Sequence, residues 1–162
     1  TWLAALITAV EALPVCFTLA SANSERQGFP LIYVNRYFER VTGYDRTALI
    51  GKACKDFLQC EQTEPGSVEV LREALKTASP ACAILSNKGY DGRIFKNLVA
   101  IKPIFDENKR YKYVIGLHFD LSKEFDQGRG KMNLVKDLFA FIPESIVTDE
   151  TALATPNNSA KS

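Results

Sequence analysis

Cysteine is the strongest nucleophile this chain offers, and of its four cysteines Cys54 has the most suggestive surroundings. It lies in Gly51-Lys52-Ala53-Cys54-Lys55-Asp56-Phe57-Leu58-Gln59. A helix-stopping glycine comes first, then the thiol, an apolar pair and a polar amide. The apolar neighbours Ile50, Phe57 and Leu58 predict a buried, protonated thiol rather than an activated thiolate. Such a thiol suits reversible addition to an electrophile and does not suit hydrolysis. Cys16, Cys60 and Cys82 read as small buried hydrophobes. The absence of a C-x-x-C pair and the single histidine, His118, argue against a metal site and for reduced thiols in the cytoplasm.

A second set of polar groups falls on strands. Side chains alternate along a strand, so Phe95, Asn97, Val99 and Ile101 share one face while Lys96 and Lys102 lie on the other. Asn87 shares its face with Ala83 and Leu85, and His118 shares its face with Val114 and Gly116. A buried amide without a partner costs ~1–3 kcal/mol. Two amides, an imidazole and a glycine on inner faces suit a planar ligand with polar edges; neighbouring loop carbonyls would satisfy the amides as well. One histidine beside a glycine on a strand makes no Ser-His-Asp or Cys-His-Asn set. The chain has no glycine-rich phosphate loop of the P-loop or dinucleotide-binding type. It reads as a non-enzymatic domain.

The elements that must position these groups follow from periodicity. Leu3, Leu6, Ile7, Val10 and Leu13 predict a helix over 2–13, ended by Pro14. Strands are expected over 15–20 and 30–35, a helical turn over 36–42 ended by Gly43, and a second turn capped by Asp45 and ended by Gly51. Pro65 presets a helix whose inner stripe is Val68, Leu71, Leu75 and Ala78. Strands over 81–87, 94–105 and 111–121 are joined by the turns at 89–92 and 106–109. The order predicts an α+β fold with one antiparallel sheet.

These features resemble the PAS fold, and within it the LOV (light-oxygen-voltage) domains, over residues 12–124. Residues 30–35 followed by Phe38-Glu39-Arg40-Val41-Thr42-Gly43-Tyr44 are similar to the family's second strand and first helix. The resemblance implies a five-stranded antiparallel sheet with short helices on one face and flanking N- and C-terminal helices. It implies a flavin, FMN in preference to FAD, bound by Cys54, Lys55, Gln59, Arg72, Asn87, Asn97, Gly116 and His118. Asn87 and Asn97, 10 residues apart, fall on the amides that bond the flavin ring. His118, 21 residues after Asn97, falls on the flavin-facing glutamine. Arg72 and Lys55 take the phosphate-binding places, and Cys54 that of the thiol that forms a cysteinyl-flavin adduct under blue light. The chain departs from the family at Ala53, at the inserted Asp56 and at His118. An extra residue in a helical turn rotates what precedes it by ~100°. Cys54 is therefore expected to reach the ligand through an outward bulge at Asp56; counted back from Phe57, the same slot falls on Lys55.

The remaining sequence bears on output. The outer face of the last strand carries Tyr113, Ile115, Leu117, Phe119 and Leu121, an apolar surface that must be covered. Met132, Leu134, Val135, Leu138, Phe139 and Ile142 form an amphipathic helix, ending before Pro143, that is able to cover it, and the N-terminal helix is able to compete for the same place. The expected organisation is a flanking helix over 1–13, a PAS/LOV core over 14–124, a C-terminal helix over 125–146 and a disordered tail over 147–162. The chain opens at Thr1 without a methionine, which suggests a piece of a longer protein with an effector attached. With 20 basic and 19 acidic residues evenly spread, nucleic acid is not an expected partner. No run reaches the ~18 apolar residues of a membrane span. A homodimer through the sheet face or the terminal helices is compatible with the pattern. The reading is a blue-light sensory domain; its alternative is a light-insensitive PAS module for dimerisation, docking or another small ligand.

Overall fold

The computed structural model describes residues 1–23, 28–123 and 129–147. Helix α1 (Trp2–Val10) precedes strands β1 (Cys16–Ser21) and β2 (Leu31–Val34). Four helices follow: α2 (Arg36–Thr42), α3 (Arg46–Leu49), α4 (Lys55–Leu58) and α5 (Pro65–Thr77). Strands β3 (Ala81–Lys88), β4 (Ile94–Asp106) and β5 (Tyr111–Asp120) complete the main sheet. Helix α6 (Arg129–Phe141) and the short strand β6 (Ser145–Ile146) come last. The sheet order is β2-β1-β5-β4-β3, with every neighbouring pair antiparallel. This is the expected α+β fold.

Two expectations are corrected. The sheet gains a sixth strand, because the chain after α6 runs parallel to the end of β4, pairing Phe105 with Ser145 and Asp106 with Ile146. Two residues carry too little pattern to announce a strand; helix α6 stops at Phe141, ahead of Pro143 as expected, within the 125–146 segment. Helix α1 ends at Val10 rather than at 13, because Asn35 Nδ2 takes the Val10 carbonyl at 2.9 Å. The tail expected over 147–162 lies outside the described residues from 148 onward.

The sheet has two dissimilar faces. On the outer face, Phe17, Leu19, Leu98, Ala100, Ile104, Ile115, Leu117 and Phe119 form one apolar cluster. Both terminal helices pack on it, so α1 and α6 share the surface rather than compete for it. Burial of this kind contributes about 25 cal/mol per Å² of apolar area. The inner face carries Leu85, Val99, Ile101 and Val114 against Leu71, Ala74 and Leu75 of α5. Helix α5 is fixed there by Glu64, whose carboxylate accepts from Ser86 N at 2.6 Å and Ser86 Oγ at 3.0 Å and pairs with Lys96. The Lys96 bond is the main reason its carboxyl is pulled down to about 2. Among the described residues no helix is long and apolar enough to cross a membrane.

Candidate functional site

A cavity of about 360 Å³ opens between the inner sheet face, the α4 turn and α5. That volume lies in the range of small-molecule sites. Six of the eight residues expected at a ligand line it: Cys54, Lys55, Gln59, Arg72, Gly116 and His118. Asn87 and Asn97 are not among the lining residues.

The segment before Cys54 is stitched to β2. Leu31 N donates to Lys52 O and Gly51 N donates to Leu31 O, each at 2.8 Å. Gly51 takes a φ of 88°, a left-handed conformation that glycine adopts without strain. The chain then turns at Cys54 into α4, with Leu58 N donating to Cys54 O at 2.9 Å. The expected bulge at Asp56 is absent. Asp56 lies within the helical turn, exposed, and its carboxylate accepts from Ala53 N at 3.3 Å. Helical spacing sets Cys54, Phe57 and Leu58 at i, i+3 and i+4, on one face, and that face is turned inward. Phe57 is held edge-on to Phe38 and Tyr44, and Tyr44 Oη donates to Phe57 O at 3.0 Å. Burial, with the Asp56 charge beside it, pushes the Cys54 thiol up to about 12, so the sulfur keeps its proton. Lys55 also lines the cavity, one residue further on.

The sheet wall is polar where β1 and β5 meet. His118 is buried, its Nε2 lies 3.2 Å from Thr18 Oγ1, and its Nδ1 lies 3.2 Å from Asn97 Nδ2. Burial lowers its pKa to about 4, leaving a neutral imidazole. Phe38 meets the ring edge-on at 5.3 Å. Asn87 and Asn97 are each 1% exposed, and Asn97 Nδ2 donates to Asn87 Oδ1 at 2.8 Å. The amides thus join the cavity through His118 instead of lining it themselves. Their packing to one another follows from the pairing of Leu85 with Asn97 and of Asn87 with Phe95, which sequence parity alone does not give. Asn97 Oδ1 is the buried side-chain polar atom left without a partner among the described residues. A ligand N–H at this end of the site would satisfy it.

Two lining residues with polar side chains escaped the sequence reading. Thr18 is one; nothing in 15–20 marks it apart from its strand parity. Lys76 is the other, and it does carry a signal, lying four residues after Arg72 on the same face of α5. Lys55, Arg72 and Lys76 are exposed residues that line the cavity, which places three cations at its rim. Arg72 is bonded to Glu69 one turn back, at 2.6 Å. Lys55 and Lys76 have no ion-pair partner among the described residues. No cluster of His, Cys, Asp or Glu among those residues is arranged to hold a metal ion.

Comparison with known proteins agrees with this geometry. Residues 14–123 match the PAS domain family. The chain is 36% identical over 111 residues to blue-light-activated histidine kinase 2 of Erythrobacter litoralis, covering 68% of this chain and 31% of that protein. It is 35% identical over 104 residues to a blue-light photoreceptor of Listeria monocytogenes, covering 64% of this chain and 40% of that protein. The chain therefore spans less than half the length of either relative. The solved LOV domain of the Erythrobacter litoralis EL346 blue-light activated histidine kinase is 36% identical, with a TM-score of 0.63 over 67% of this chain and 97% of that one.

Proposed function

The chain belongs to the PAS domain family and, within it, to the LOV domains, and from that premise we propose that it is a blue-light sensory module holding a flavin in the cavity against α4 and α5. The observation that carries this reading is Cys54, a protonated thiol facing a cavity whose far side is a buried polar sheet wall. When bound, the flavin supplies absorption of blue light and an electrophilic ring carbon to which a thiol adds reversibly. The protein supplies everything else. Cys54 offers both sulfur and proton, because burial prevents the thiol from ionising beforehand. Leu71, Leu75, Val99 and Ile101 keep water from the ring. The Thr18–His118 pair faces the polar edge as a reversible donor, with Asn97 bonded behind the imidazole.

Lys55, Arg72 and Lys76 suit the anionic tail. A phosphomonoester carries about −1.5 to −2 charges near neutral pH, which three rim cations balance, so FMN is favoured over FAD. The domain acts as a regulator without chemistry of its own on a substrate, in the cytoplasm, and passes its state to an effector elsewhere in the full-length protein. Pairing of two chains through the outer sheet face would require α1 or α6 to leave it, since both already pack there.

Purification with FMN tests the proposal. The expected product is yellow, shows the structured blue band of a protein-bound oxidised flavin, bleaches under blue light and recovers in the dark. Cys54→Ala should stay yellow and not bleach. A protein that remains colourless after addition of FMN, FAD or riboflavin would overturn the reading and favour a PAS module for another ligand.

A further inference from the structure

Around His118 runs a chain of buried hydrogen bonds whose directions can be fixed one at a time. Asn87 Nδ2 donates to Ser86 O at 3.2 Å, so its Oδ1 is the acceptor turned toward Asn97. Asn97 Nδ2 donates to that oxygen at 2.8 Å and has one hydrogen left, which points at His118 Nδ1, 3.2 Å away. An amide nitrogen only donates, so Nδ1 must accept. A neutral imidazole then carries its single proton on Nε2. Nε2–H faces Thr18 Oγ1 at 3.2 Å, and the Thr18 hydroxyl in turn donates to Gly116 O over a long 3.5 Å.

Gly116 shows how closely the pair is fitted. A Cβ there would stand 2.4 Å from Thr18 Oγ1 and 3.1 Å from His118 Nε2. Only a residue without a side chain lets β1 bring its threonine onto the imidazole. The Thr18 hydroxyl differs from the imidazole and the amides of this network because a single atom both donates and accepts, and its proton turns between partners by rotation about one bond. Its bond to Gly116 O is the weakest link by length.

We propose that Thr18 is the positioning residue of this site: Asn97 selects the Nε2–H tautomer of His118, Thr18 Oγ1 supports it by accepting that proton, and the Thr18 hydroxyl is the reversible link that transfers a change in the cavity's hydrogen-bonding demand from β5 to β1. A ligand atom that accepts a hydrogen bond draws the Thr18 proton away from Gly116 O. A ligand atom that becomes a donor sends it back. The imidazole therefore responds through its partner on the neighbouring strand, without the rotation that an amide side chain needs. The tautomer assignment stands on this chain's own bonds; the response to light rests on the flavin reading above.

The test is nitrogen-15 NMR of the His118 ring in the flavin-free protein, comparing wild type with Thr18→Val and Thr18→Ser. Wild type and Thr18→Ser should show the Nε2–H form. Thr18→Val, nearly the same shape, should shift the tautomer ratio by about two- to tenfold, the equivalent of one ordinary hydrogen bond. In the FMN-loaded protein, illumination should move the ring nitrogen shifts in wild type and Thr18→Ser but not in Thr18→Val. An Nδ1–H tautomer in wild type, or a Thr18→Val spectrum like wild type in both states, overturns the proposal. Failure to bind FMN would sink the functional reading alone, since the flavin-free spectra still decide the role of Thr18.

Discussion

Helices α1 and α6 lie on the same outer sheet face and bury the same kind of apolar side chain, yet they are tied down in different ways. Helix α1 is knitted in by polar side chains. Asn35, fully buried, donates to Val10 O at 2.9 Å and Val15 O at 2.8 Å while its Oδ1 accepts from Phe17 N and Phe38 N. Glu11, just past the helix, receives both Arg46 guanidinium nitrogens at 3.2 and 2.7 Å and the Tyr33 hydroxyl. Arg46 is shared with Glu39 at 2.9 Å. Helix α6 rests instead on Val135 and its neighbours, on Lys102 Nζ donating to Phe139 O and Ile142 O at 2.6 and 2.5 Å, and on the β6 pairing. Releasing α1 breaks a network of buried side chains whose members satisfy one another; releasing α6 breaks the Lys102 bonds, the contacts of Met132 with Cys82 and of Lys131 with the Phe119 ring, and a two-residue strand. Elements that move on signalling come from the weakly tied end of a fold. We therefore expect α6 to be the helix that answers the cavity.

The sharpest way to break the contrast is Asn35→Ala. It takes the side-chain partner from the Phe17 and Phe38 N–H groups and from the Val15 carbonyl, leaves Val10 O with the Leu13 N–H alone, and should cost about 3 kcal/mol of global stability. Urea unfolding would measure it, and a loss below ~1 kcal/mol would mean that α1 is not held by this amide. Lys102→Met is the matching change for α6. It keeps the aliphatic stem and removes the charge from the helix C-terminus, where a cation is favourable. Hydrogen exchange should then show α6 opening more easily by about 1–2 kcal/mol, with α1 unchanged. If the exchange rates of α1 and α6 rise together, the two helices form one cooperative unit and the contrast fails.

What could be read from the sequence divides along the same line. Asp45 as a cap, the inward stripe of α5, and the shared face of Phe95, Asn97, Val99 and Ile101 depend on neighbours within a few residues, and the structure agrees with them except at Ala78, which caps α5 in a left-handed conformation while Ala74 takes the buried place. Most of the expected site residues line the cavity for a related reason: Cys54, Lys55, Gln59 and Arg72 sit in short local stretches, and Gly116 and His118 in one strand. Contacts made across the sheet were hidden. Thr18 and His118 are 100 residues apart, and their meeting needs the β1–β5 register, which aligns Thr18 with Gly116. Lys102 was placed on the outer face by parity, but its role in capping α6 depends on where that helix ends. The Asp56 insertion was misjudged on a point of local geometry, since a helical i, i+3, i+4 face absorbs the extra residue without a bulge.

Acid should separate the two helices more gently. The Arg46 hydrogen bond is the largest influence on Glu11; burial works against it, and Tyr33, Arg46 and Arg36 charge or bonding add to it, so the folded carboxyl lies below its ordinary value of 4.5. A folded pKa below the unfolded one means stability that is fully present above pH 4.5 and lost as the pH falls through the lower folded value. Glu11 is partly exposed, so the effect is small, below about 1 kcal/mol. It should nonetheless be visible, because the single tryptophan is in α1, with Trp2 stacked on Tyr113 at a centroid distance of 6.4 Å. Trp2 emission should begin to change below pH 4.5, before far-ultraviolet dichroism reports loss of the sheet. In Glu11→Gln that early step should vanish, since a glutamine does not titrate. The bonds from Lys102 to α6 end on backbone carbonyls, which do not titrate either, so α6 exchange should stay level across the same interval. An early Trp2 transition that persists in Glu11→Gln would place the acid-sensitive tie elsewhere on α1 and leave the Glu11–Arg46 pair with no share in holding that helix.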